Sequence, residues 1–89
     1  MPSILQRIRQ KIRSSDYRFT WHMEFETMPD HNLIRLDVES AILAGSIVGS
    51  RFDEYGTQYL VEGPTLDDRM ILVAIRFAAG KLVIITAYE

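Results

Sequence analysis

Two runs near the end of the chain constrain its architecture most. Arg-Met-Ile-Leu-Val-Ala-Ile-Arg-Phe (69–77) and Lys-Leu-Val-Ile-Ile-Thr-Ala-Tyr (81–88) are joined by Ala-Ala-Gly-Lys (78–81). Successive side chains of a strand point to opposite faces. A strand that is apolar at both parities therefore needs cover on both sides, as central strands do. The short connection makes the pair antiparallel. One face is expected to receive two helices from the middle of the chain. The other is expected to be covered by an N-terminal helix, a second subunit, or both.

Upstream, Ser-Ile-Val-Gly-Ser-Arg-Phe (46–52) and Gln-Tyr-Leu-Val-Glu-Gly (58–63) flank the turn Asp-Glu-Tyr-Gly-Thr, and Pro-Thr-Leu-Asp-Asp precedes residue 69. Tyr17 and Phe19 alternate with Arg18 and Thr20, the pattern of a half-buried strand, and Trp21 continues the apolar side. Trp21, Phe25 and Met28 then follow helical spacing, which predicts a helix over 21–28 with that stripe buried and Pro29 at its end. A second helix is predicted over 35–44. Val38, Ala41 and Ile42 form its apolar face, Asp37 and Glu39 suit its first turn, and Gly45 stops it. Residues 1–14 read as an amphipathic helix with Ile4, Leu5, Ile8 and Ile12 on one stripe and Ser3 as cap. The expected class is α+β. The expected order is β-α-α-β-β-β, a four-stranded, mostly antiparallel sheet with two central helices on one face, plus the N-terminal helix.

Eighty-nine residues make a single domain, 1–89, in which residues 17–89 form the core. With no cysteine, disulfides, thiolate zinc sites and a catalytic thiol are excluded. No run approaches a membrane span and no secretory signal is evident, so a cytoplasmic location is expected. Charge is unevenly spread. Residues 1–21 hold Arg7, Arg9, Lys11, Arg13 and Arg18 against Asp16, whereas residues 22–89 hold five cations against eleven acids. A polyanion binder needs several cations on one surface. Only the N-terminal segment supplies them, so any RNA or ribosome contact is expected through Arg7, Arg9, Lys11 and Arg13.

Both histidines lie in Phe-Thr-Trp-His-Met-Glu-Phe-Glu-Thr-Met-Pro-Asp-His-Asn (19–32). On a helix, His22 and Glu26 share a face at i, i+4 and suit an intrahelical hydrogen bond. A metal reading would add Asp30 or His31. The zinc motif needs a second His where Glu26 stands, so no metal is expected. An imidazole with a reference pKa of about 6.5 also suits acid–base work. Arg51, Arg69 and Arg76 lie on or beside strands and are the candidate phosphate contacts, or else sheet-surface and ion-pair residues. Tyr88 ends the last strand. There is no phosphate loop and no nucleophile elbow, and no cofactor is expected.

The ordered set His22-x-x-x-Glu26, then Asp37-Val38-Glu39-Ser-Ala-Ile-Leu-Ala-Gly45-Ser-Ile47, then Gln-Tyr59-Leu-Val-Glu-Gly63, then Lys81-Leu-Val-Ile-Ile-Thr86-Ala-Tyr88 resembles a bacterial family, domain of unknown function 4258. The likeness spans roughly Tyr17 to Tyr88 and leaves the N-terminal helix outside. That family is more distantly similar to RelE- and BrnT-type ribonuclease toxins. Many members carry Arg four residues after the His, where this chain has Glu26, a carboxylate that repels phosphate. The expected function is a non-catalytic binding or self-associating module, as a homodimer or with a protein partner. The alternative is a metal-independent endoribonuclease. In it His22 would be base or acid, with Glu26 beside it. Arg51, Arg69 or Arg76 would contact phosphate, and Tyr88 would orient the substrate.

Overall fold

The computed structural model describes residues 1–89. Helix α1 (Ile4–Arg13) leads to strand β1 (Tyr17–Phe19). A π-helical segment (Met23–Thr27) runs into a short α2 (Met28–Asp30), and α3 (Arg35–Ala44) follows. Four strands complete the chain: β2 (Ser46–Asp53), β3 (Gly56–Pro64), β4 (Met70–Ala78) and β5 (Lys81–Tyr88). The sheet is five-stranded, in the order β1-β5-β4-β3-β2. The expected four-stranded β-α-α-β-β-β count is one strand short, because four strands follow the helices. They descend through three antiparallel hairpin pairings, and β1 adds to β5 in parallel.

The apolar hairpin is central, as expected: β4 and β5 each have a neighbour on both edges. Its tight turn puts Ala79 and Gly80 at positive φ, the conformation that matches strand twist in two-residue hairpins. Helix α1 starts where Ser3 caps it. The Ser3 hydroxyl accepts from the Gln6 N–H, and the Gln6 side chain accepts from the Ser3 N–H. Helix α3 has the predicted bounds, with Val38, Ala41 and Ile42 fully buried. Ile34 at its start offers no side-chain cap. Asp37, at the third helical position, supplies the reciprocal half of a capping box, its carboxylate accepting from the Ile34 N–H at 3.0 Å and also from the Leu66 N–H at 3.1 Å. Gly45 stops α3, but in extended conformation. What requires glycine there is space, since a Cβ would overlap the Ala41 carbonyl and the Glu62 backbone. Gly63 on β3 is held to the same rule by Ala41, so α3 lies flush on the sheet.

Register assigns side chains to faces. One face carries Tyr17, Phe19, Leu82, Ile84, Ile75, Val73, Ile71, Val61 and Ile47. These join Ile8 and Ile12 of α1, Met23 and Met28, Leu33, and the buried face of α3 in one core. All the helices therefore cover the same side. The expectation that α1 would cover the second face is overturned. Its aliphatic stripe packs beside α3 and over β5, where Ile8 and Ile12 complete the existing core.

The helix expected over 21–28 is also corrected. Trp21 and Phe25 are exposed, at 66% and 58%, whereas Met23 and Thr27 are buried with Met28. Two causes are visible. The strand ends at Phe19, and Thr20 turns the chain: its hydroxyl donates to the Ile85 carbonyl at 2.8 Å and accepts from the Met23 N–H at 3.1 Å. The i→i+5 winding then fits an extra residue into the turn and shifts which positions face inward. Pro29 does not stop the helix. It lies within α2, and the turn ends at Asn32, with φ 52°.

Candidate functional site

The second sheet face carries no helix. Its central side chains fall into three rows across the strands, flanked by Pro64 and Met70 at one end and by Asp53, Ala78 and Lys81 at the other. The first runs Arg18, Val83, Arg76, then Gln58 and Arg51. The second is small and apolar: Thr86, Ala74, Leu60 and Gly49. The third is Tyr88, Leu72, Glu62 and Ser46. Val83 and Ala74 are buried at 4% and 0% exposure yet stand outside the main core cluster. Neighbouring side chains on this open face shield them, with Leu60 and Leu72 half-buried beside them.

Of the six nominated residues, Arg51, Arg76 and Tyr88 stand on this face, in different rows, and His22 lies at its margin with Glu26 beside it; no contact joins the three to His22. His22 reaches the face because the π-helical segment sits beside the half of β5 that extends past the short β1. His22 Nε2 lies 3.1 Å from the Thr27 hydroxyl and 3.4 Å from that of Thr86, and the two hydroxyls are 3.3 Å apart. Nδ1 lies 3.2 Å from Glu26, the predicted i, i+4 contact. The result is a carboxylate–imidazole–hydroxyl chain, in which Glu26 favours the tautomer that leaves Nε2 to accept from a threonine. His22 and Glu26 are both more than half exposed. No pocket encloses them, and no arginine contacts the imidazole.

The arginines are otherwise engaged. Arg76 is largely buried. It donates to Asp53 at 3.2 and 3.3 Å and lies 5.5 Å from the centre of the Tyr55 ring. The Arg76 bond, with the Tyr55 N–H and Gln58, holds the Asp53 carboxyl below its usual range. Arg51 reaches only Gln58, at 3.4 Å. Arg69 lies away from this face, as a clasp. It donates to the carbonyls of His31 (2.6 Å) and Asn32 (3.0 Å) and pairs with Asp67 and Glu89. Hydrogen bonds from Thr65 and Arg69 hold the Asp67 carboxyl low, and Asp67 in turn raises Arg69. His31 faces Glu89 at 3.7 Å, so the two histidines belong to different clusters. No group of three His, Asp or Glu side chains converges as a metal site would need.

Three of the four cations nominated on α1 serve the fold. Arg7 stacks over Phe77 at 4.8 Å. Arg9 donates to the Gly45 carbonyl at 2.8 Å. Lys11 bonds Asp16 at 2.8 Å and the Gly80 carbonyl at 2.5 Å, and with Lys81 it holds the Asp16 carboxyl low. Arg13 is exposed and makes no such bond. Sequence reasoning missed Arg18, Thr27, Thr86, Leu60 and Leu72. The outward parity of Arg18 was legible. Thr86 was not, because its contacts close over 64 and 59 residues of chain, and Thr27 was not, because it reaches His22 five residues away, off the i, i+4 spacing of an ordinary helix.

The model of a domain of unknown function, DUF4258, matches residues 19–89. The chain belongs to that family. The match begins at the last residue of β1, takes in every helix after it and all later strands, and leaves α1 outside. No curated protein and no solved structure matches the chain. No helix is long and apolar enough to cross a membrane.

Proposed function

We propose that this DUF4258 chain is a non-catalytic binding module whose working surface is the helix-free face of the sheet. One observation carries the reading: β4 and β5 keep apolar side chains on both faces, yet every helix covers the same side. An apolar centre of Leu60, Leu72, Ala74 and Val83 within a charged margin has the layout of an interaction surface. The test places a photo-crosslinker at position 72 in the chain expressed in its own cells, with position 36 on α3 as control. Discrete adducts at 72, with none at 36, support the reading. Equal labelling at both positions overturns it.

A second reading is an endoribonuclease, favoured by one contact: His22 touches Thr86 on the face that also holds Arg18, Arg76 and Tyr88. Cleavage by 2′-hydroxyl attack would use His22 for proton transfer and the arginines for phosphate. Growth arrest with RNA decay on induced expression, lost in His22→Ala of unchanged melting temperature, would establish it. Harmless expression with intact RNA would remove it.

A further inference from the structure

We infer that the occupant of the helix-free face is a second copy of this chain, packed face to face about a two-fold axis that runs across the strands. The inference rests on reading that face as the binding surface and adds the partner and its orientation.

Charge selects the arrangement. Two identical twisted sheets pack with strands nearly aligned, about 10 Å apart. A two-fold axis lying between them can run along the strands or across them. Along the strands, the first row meets its own copy: Arg18 of one copy stands over Arg51 of the other, while Arg76, already paired with Asp53, stands over its own copy. Across the strands, the first row lies over the third row of the partner copy. Arg51 then stands above Ser46 and within one strand spacing of Glu62, the only charged side chain of the third row. Gln58 lies over Glu62 directly. The second row meets itself on the axis, so that Leu60 packs on Leu60 and Ala74 on Ala74. Apolar contacts at the centre and opposite charges at the rim are the arrangement of specific interfaces. Within one chain Arg51 and Glu62 cannot meet, because they lie at opposite ends of the β2–β3 ladder.

Size sets the strength. Five strands spaced about 4.8 Å apart span roughly 19 Å. Two such faces hide on the order of 1,000 Å², near the lower limit for specific association. An interface of that size sits among weak, transient contacts, so association is to be sought up to millimolar concentration.

Sedimentation equilibrium of the full chain over micromolar to millimolar concentrations tests this. Wild type should pass from monomer to dimer. Arg51→Glu and Glu62→Arg should each weaken association about tenfold, and the double variant should regain most of the loss. Both side chains are exposed, so folding is not at stake. Leu60→Lys should abolish the dimer. A wild type that stays monomeric overturns the inference, as do single and double charge variants that associate like wild type. If in the latter case Leu60→Lys still dissociates the dimer, the face remains the binding surface and only the orientation is wrong.

Discussion

Tyr17 shows how one side chain can join two elements. From β1 its hydroxyl donates to Glu39 of α3 at 2.6 Å, and Arg35 lies 5.8 Å from the centre of its ring and 5.7 Å from that of Phe19. Burial, then the bond to Glu39, pushes the phenol up to about 12. The folded value lies above the unfolded one of about 10. Its contribution to stability is therefore complete below pH 10 and is lost as pH rises through about 12. In an ultraviolet titration, one phenolate should form only near pH 12. Tyr17→Phe should remove that step and flatten the stability loss between pH 10 and 12. A last phenolate step unchanged in the variant would show that Tyr17 is not the source. At this scale, short-range contacts were legible and long-range ones were not. The spacing of His22 and Glu26 announces their bond, as Ser3 announces its cap. Nothing in the local pattern announces Tyr17 to Glu39, Thr86 to His22, or Arg69 to His31.

The segment between β1 and α3 decides where the histidine face points. Periodicity assumed 3.6 residues per turn from Trp21 onward and so buried Trp21 and Phe25. The i→i+5 turn and the Thr20 cap bury Met23 and Thr27 instead. Urea denaturation separates the two windings. Met23→Ala should cost about 2–5 kcal/mol, the range for a fully buried side chain. Phe25→Ala should stay within about 0.5 kcal/mol, as a surface change does. The opposite ranking would restore the ordinary helix. The other elements were legible because their signals agree with one another. Helix α3 combines an apolar face, an acidic first turn and a terminal glycine, and β4 and β5 are apolar at both parities. The strand count failed at assembly: each strand segment was visible, but β1 pairs with a strand more than sixty residues away, and no local signal ties them.

Across the whole molecule, the question is what α1 contributes, since it lies outside the family match and carries much of the positive charge. The geometry makes it part of the core. Ile8 and Ile12 are buried where α1 packs on β5 and α3, while Arg7, Arg9 and Lys11 bind back onto the domain. Burying a large aliphatic side chain is worth about 1.5–3 kcal/mol, so the two isoleucines supply roughly 3–6 kcal/mol. A domain of this size has about 5–13 kcal/mol in total. A chain beginning at Ser15 should therefore lose on the order of half its stability, read as a large fall in urea midpoint. Ile8→Ala with Ile12→Ala in the full chain should reproduce most of that fall, whereas Arg13→Glu should leave the midpoint unchanged. This ranking separates packing from charge. If α1 were a detachable basic arm, truncation would leave the midpoint intact and Arg13 would matter only to a polyanion. If α1 is the lid of the core, as its isoleucines and its three engaged cations argue, the helix and the family domain must unfold together in one transition.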